Sequence, residues 1–243
     1  MDNAPIRRGR QTVYKKWSSN IAILSGDTLF AYAYQFAQNA DKEIVKDILS
    51  VFNKTAIEVC EGQQYDLNFE TRNDVSVDEK IKMIHLKTAV LFGASLKIGS
   101  IIGGAEKEES EKLYNFALNI GLGFQLKDDL LDTFGDETIF GKKTGGDILT
   151  NKKTFLFLKA MELAKGETKK QLLEYYSSSD FNNEQKIEAV KSIFTKLDVD
   201  SFTEKEIEKY FNDGVVFLEN MKISRENKDE LYKLAYKMIH RNN

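Results

Sequence analysis

The densest run of reactive side chains is Gly123-Phe124-Gln125-Leu126-Lys127-Asp128-Asp129-Leu130-Leu131-Asp132. On a helix, Gln125, Asp128, Asp129 and Asp132 fall at i, i+3, i+4 and i+7 and form one polar stripe. Asp128 and Asp132 are then one turn apart, roughly 6 Å along the axis, with Asp129 between them. Carboxylates this close repel one another unless water or a cation intervenes. Hard oxygen ligands in this pattern suit Mg²⁺ that is also held by substrate phosphates; a solvated helix face is the competing reading. Phe124, Leu126, Leu130, Leu131 and Phe134 make the other sides of the helix apolar, which favours a stripe that lines a cavity.

About ten residues further on, Gly141-Lys142-Lys143-Thr144-Gly145-Gly146-Asp147 through Asn151-Lys152-Lys153 combines four lysines with three glycines. Such a loop can bring ammonium groups and backbone N–H donors to phosphate oxygens, or it can be a solvated basic loop. It lacks the GxxxxGK[ST] spacing of a P-loop, so nucleotide triphosphate hydrolysis is disfavoured. Positive charge beside bridging metals is what a diphosphate site requires. Lys87-Thr88 sits in an otherwise apolar helix, its lysine either snorkelling to solvent or reaching into a polar pocket. Arg7-Arg8-Gly9-Arg10 reads as a basic tail or a nucleic-acid patch. His85 and His240 have no partners at metal-ligand spacing and are expected to be ordinary surface or C-terminal residues. Cys60 lacks a His or Asn constellation and is expected as a small buried hydrophobe, with Trp17 and the phenylalanines as core.

These residues need rigid elements to hold them. Ile44, Val45, Ile48, Leu49, Phe52, Ala56, Ile57 and Val59 recur at helical spacing over 41–60. A capping box, Ser76 with Glu79, opens the next helix, which runs towards Gly103-Gly104. A third begins among Glu106, Glu108, Glu109 and Glu111, favourable at a helix N-terminus, and continues to Phe134 before Gly135. Further helices are expected over 155–164, 184–197, 203–221 behind a Ser201 and Glu204 capping box, and 226–241. Strand-like alternation and a fixed repeat are missing, and the only proline in 243 residues is Pro5, where ordinary usage gives about 12. The expected class is therefore all-α, a single domain over 1–243 with no convincing linker.

Composition narrows the ligands. Lys and Arg number 35 against 38 Asp and Glu, a net charge of −3, which argues against a dedicated nucleic-acid binder. A single cysteine excludes an internal disulfide framework and fits a reducing cytoplasm. Residues 1–10 are polar and basic, unlike a signal peptide, and the longest apolar run, 88–105, is broken by Lys97 and falls short of a transmembrane span of ~20 residues.

Several motifs in order carry a resemblance over nearly the whole chain. They are Met1-Asp2 followed by Arg7-Arg8-Gly9, Leu24-Ser25-Gly26-Asp27, Gly62-Gln63-x-x-Asp66-Leu67, Lys87-Thr88, the stretch from Phe124 to Asp136, and Gly141-Lys142 with Gly146-Asp147-Ile148 and Asn151-Lys152. In this order they resemble the trans-isoprenyl diphosphate synthases, the farnesyl and geranylgeranyl diphosphate synthase family. The resemblance implies an isoprenoid-synthase-type helical bundle around a central cavity. It implies a transferase that condenses isopentenyl diphosphate with an allylic diphosphate, with Mg²⁺ as cofactor. Asp128, Asp129 and Asp132 correspond to the second aspartate-rich motif, which holds Mg²⁺ on the allylic diphosphate, and Asp2 to the last position of the first. Lys87, Lys142 and Lys152 correspond to diphosphate contacts, with Thr88 and Gln125 lining the site and Asp66 orienting these groups. Arg7 matches the arginine for the allylic diphosphate and Arg8 the one for isopentenyl diphosphate; Lys87, Lys142 and Asp128 are the expected catalytic residues. A cytoplasmic homodimer without nucleic acid is implied.

The sequence departs from this family at its start. The first motif has the form DDxxD, and Met1-Asp2 are its last two positions, so the preceding helices are expected to be missing. The chain is therefore expected to be a weak or inactive synthase that is poorly soluble or leans on a partner. Two alternatives remain: a non-catalytic helical subunit of the same fold, and a class I terpene cyclase. For the cyclase, Asn73-Asp74 is the nearest motif, with Ser76 one position early and Ile81 where Glu is wanted.

Overall fold

Polar caps set where many of the helices begin, and the computed structural model describes them over residues 4–135, 144–177 and 181–241. The chain divides into two compact units, 1–51 and 52–243.

In the first unit, β1 (Ile6–Arg7) pairs antiparallel with β2 (Arg10–Gln11), in a register that sets Ile6 opposite Gln11 and Arg7 opposite Arg10. Arg8 (φ 51°) and Gly9 (φ 73°) form the turn, the two positive φ values that a tight hairpin requires. This small hairpin corrects the expectation of a chain without strands. Thr12 closes its base, its Oγ1 donating to Ala4 O over 2.8 Å. After α1 (Val13–Lys16), Ser18 caps α2 (Ser19–Ala37) by accepting from the Ile21 N–H. Helix α2 has no buried residue, and Leu24, Leu29 and Phe36 are 64%, 69% and 74% exposed. Trp17 is 57% exposed, so neither it nor Phe36 joins the core that both are expected to form.

In α3 (Val45–Thr71) the apolar periodicity of 41–60 continues through a more polar end that carries Asp66. Cys60 is exposed on this helix, contrary to the buried hydrophobe expected. Both halves of the Ser76–Glu79 capping box are present at α4 (Val77–Ile84). A π-helical segment, His85–Ala89, then joins it to α5 (Val90–Ile102). Periodicity did not anticipate this segment, because one widened turn leaves the apolar pattern nearly intact. His85 lies within it, half-buried rather than on the surface.

Helix α6 (Lys107–Phe134) is the axis of the second unit, packed most extensively against α5 and α11 (Val199–Glu219). After a short α7 (Gly146–Leu149) come α8 (Phe155–Leu163), capped by Thr154, α9 (Gly166–Ser177), and α10 (Asn183–Lys196), capped by Asn182. Last is α12 (Arg225–Ile239), capped by Ser224. Leu126, Leu156, Leu172, Val190, Phe194 and Leu218 are fully buried at the centre of this packing. The Ser201–Glu204 box does not form. Asp198 takes a left-handed conformation (φ 57°) that ends one helix and starts the next at Val199, so Ser201 lies inside α11. Among the described residues no helix is long and apolar enough to cross a membrane.

Candidate functional site

The polar stripe of α6 is where the second unit gathers its charges, and its members separate by partner. Gln125 accepts from Thr88 Oγ1 at 3.3 Å through Oε1 and donates from Nε2 to Asp129 Oδ1 at 3.1 Å. That bridge joins the π-segment to α6. Asp129 is 3% exposed, and its second oxygen, Oδ2, is buried with no hydrogen-bond partner among the described residues. Burial pushes its carboxyl up from the ordinary range, against the lowering field of Lys80. Asp132 holds the next loop instead. Its Oδ2 accepts from the Asp147 backbone N–H at 2.9 Å, and its carbonyl accepts from the Gly145 N–H at 2.6 Å. Burial, then the Asp147 carboxylate, raise the Asp132 carboxyl. Asp128 points to the chain's far end, where Arg241 donates to Oδ1 and lies over the Phe124 ring at 4.1 Å.

Opposite the stripe, α3 presents Asp66 to two lysines. Lys87 Nζ donates to Oδ2 at 2.6 Å, and Lys80 Nζ lies 3.9 Å from Oδ1. Burial works to raise Asp66, but the Lys87 hydrogen bond and the fields of Lys80, Lys87 and Lys152 together bring it below the usual carboxylate value. The close approach depends on Gly62: a Cβ there would lie 2.3 Å from the Lys87 backbone nitrogen. Lys87 therefore reaches into a polar pocket rather than snorkelling to solvent.

The lysine-rich loop contributes selectively. Gly145 adopts φ +84°, and a side chain there would meet Ile187 at 2.7 Å, so the turn onto Asp132 needs glycine. Lys152 Nζ donates to Asp147 Oδ1 at 3.2 Å. Burial opposes its charge, yet Asp147 and then Asp129 hold its ammonium above the usual lysine value. Lys153 turns away and caps the C-terminal end of α3, donating to Phe69 O at 2.7 Å and to Arg72 O. Lys142 and Asp2 lie outside the described residues.

The structure thus brings together Asp66, Lys87, Thr88, Gln125, Asp129, Asp132 and Lys152 from four segments of the second unit. Arg7 and Arg8 belong to the exposed hairpin of the first unit. Asp147 and Lys80 are the members that residue patterns did not single out for a role. Asp147 lies within the Gly146-Asp147-Ile148 motif, and Lys80 lies two helical turns before Lys87, the spacing that puts both on one face. Asn73 and Asp74 stand in the loop before α4, where Asp74 accepts from Arg72 Nε at 2.9 Å.

Four carboxylates here, Asp66, Asp129, Asp132 and Asp147, meet three ammonium groups, those of Lys80, Lys87 and Lys152. Among the described residues no three acidic, His or Cys side chains converge into a ready metal cage. A Mg²⁺ ion takes one or two carboxylates and completes its shell with water and substrate phosphate. The free Asp129 Oδ2 is the oxygen best suited to it.

The central helix of this all-α unit thus carries the buried Asp129 and the half-buried Asp132 opposite lysines. The polyprenyl synthetase family model matches residues 1–194, and the chain belongs to that family. It is 40% identical to the short chain isoprenyl diphosphate synthase of Methanothermobacter thermautotrophicus over 74% of this chain and 56% of that protein. It is 35% identical to the geranylfarnesyl diphosphate synthase of Natronomonas pharaonis over 90% and 68%. Among solved structures, the geranylgeranyl pyrophosphate synthetase of Pyrococcus horikoshii superposes with a TM-score of 0.91 at 31% identity, covering 99% of this chain and 73% of that one. The chain spans between 51% and 58% of the length of the first three curated relatives it matches.

Proposed function

We propose that this chain is a trans-prenyltransferase, or the greater part of one, which joins isopentenyl diphosphate to an allylic diphosphate and releases diphosphate. The carrying observation is the buried Asp129, with one oxygen free of hydrogen bonds among the described residues, set among Asp132, Asp147, Lys80 and Lys152. Membership of the polyprenyl synthetase family and the prenyl diphosphate synthases among its relatives support the same reading.

In this reading Lys87 and Lys152 bind the allylic diphosphate, Asp66 keeps Lys87 extended, and Gln125 and Thr88 fix Asp129. Mg²⁺, held by Asp129 and Asp132, would supply positive charge on the departing diphosphate; Asp128, the third carboxylate of the motif, would have to leave Arg241 to join them. The lysines add to that charge as the C–O bond to diphosphate breaks, the allylic carbon turns cationic and the isopentenyl double bond attacks it; the cation so formed loses a proton to the released diphosphate. This chemistry requires dry, apolar walls around the cation. The family resemblance gives Lys142 the role of a diphosphate contact, Asp2 that of a metal ligand, Arg7 that of an allylic diphosphate ligand and Arg8 that of an isopentenyl diphosphate ligand. We read residues 1–243 as a single domain acting as a homodimer in the cytoplasm.

Incubation with labelled isopentenyl diphosphate, Mg²⁺ and dimethylallyl, geranyl or farnesyl diphosphate tests this. Chain-elongated linear products support the reading. Cyclised hydrocarbons, or a folded chain that neither elongates nor binds an allylic diphosphate, contradict it.

A further inference from the structure

Lys80 is 3% exposed, and a buried ammonium persists only where opposing charge holds it. Its own helix does not help, because it sits in the first turn of α4, where the macrodipole favours anions such as Asp78 and Glu79. The capping box fixes the register of that turn, so Lys80 shares a face with Lys87 two turns later, and both address Asp66. Lys87 takes Oδ2 by a hydrogen bond, and Lys80 stands at ion-pair distance from Oδ1. Asp129 and, more weakly, Asp147 are the other carboxylates in reach of its field, with Lys152 opposing them; Asp129 is equally buried, with Gln125 on one oxygen and no hydrogen bond on the other among the described residues. Each is the strongest charge acting on the other.

We propose that Lys80 is a positioning residue: a resident buried cation that holds Asp66 and Asp129 and supplies, at Asp129, part of the positive charge a divalent ion would otherwise bring. The inference deepens the proposed Mg²⁺–diphosphate site and rests on that reading for the metal. Its consequence is that the site stays folded without metal and that Asp129 competes for the ion less strongly than a bare buried carboxylate would.

The test compares the full chain with Lys80→Met, Lys80→Arg, Asp129→Asn and the Lys80→Met/Asp129→Asn pair, melted in EDTA and in Mg²⁺, with Mn²⁺ binding followed by electron paramagnetic resonance. Lys80→Met is expected to melt at least about 4 °C lower in EDTA, to regain most of that loss in Mg²⁺, and to bind Mn²⁺ at least about fivefold more tightly. Lys80→Arg keeps the charge and should respond to Mg²⁺ as the wild type does. The paired variant should melt above Lys80→Met. An unchanged Mg²⁺ response in Lys80→Met, or additive losses in the pair, overturns the proposal. If Lys80→Met does not fold in EDTA, the pair decides: a cooperative melt supports the coupling and an unfolded chain refutes it. None of these readouts needs prenyl transfer, so an inactive chain that shows the coupling would count against the synthase reading alone.

Discussion

Asp66 takes two lysines, and that arrangement gives the protein an acid-side weakness. Its folded pKa lies below its ordinary value of 3.8, so the unfolded chain binds the proton more readily. The stabilisation is complete above that value and disappears as the pH falls through the folded pKa. Urea unfolding between pH 5 and about pH 2 should show stability falling with acid, and Asp66→Asn should flatten that slope. Arg241 offers a second test. It pairs with Asp128 and covers Phe124, both partly exposed, so Arg241→Ala should cost about 1 kcal/mol in a denaturant titration. The stripe at Gln125, Asp128, Asp129 and Asp132 was legible because helical spacing alone places these residues on one face. Their division of labour was not, since Arg241 is 113 residues from Asp128 and no local pattern links them.

At the scale of elements, the site depends on how closely α3 and the π-segment meet. Gly62→Ala would drive a methyl group into the Lys87 backbone, where no flexible side chain can yield. We expect a loss of about 1–3 kcal/mol by chemical denaturation, from overpacking between helices. Ser76→Ala should cost about 1 kcal/mol, because it dismantles the box that sets the register of Lys80. Most helix positions could be read from apolar periodicity and caps, with ends displaced by a few residues. Helices α1, α2, α7 and α9 are not among them, and the π-segment and the start of α11 escaped for local reasons: a single widened turn preserves the pattern, and Asp198 can take a left-handed conformation that propensity does not favour.

For the whole molecule, the all-α class followed from one proline and continuous helical periodicity, and the family matched over residues 1–194 agrees with it. The exposed apolar side chains of α2 bear on the proposed assembly. Leu29 and Phe36 are more exposed than solvated helices usually leave such residues, so a homodimer that covers α2 should appear as twice the chain mass in light scattering. Leu29→Lys/Phe36→Lys should then shift the chain to monomer. An unchanged dimer would place the interface elsewhere.

The central claim is that Asp129, Asp132 and the surrounding lysines form a Mg²⁺-dependent half-site for an allylic diphosphate. Isothermal titration of farnesyl diphosphate into the full chain, with Mg²⁺ or with EDTA, tests it most directly. The account predicts binding that needs Mg²⁺ and weakens at least about tenfold in Asp132→Asn, equivalent to ~1.4 kcal/mol. Equal affinity in EDTA, or in a folded Asp132→Asn variant, would contradict it.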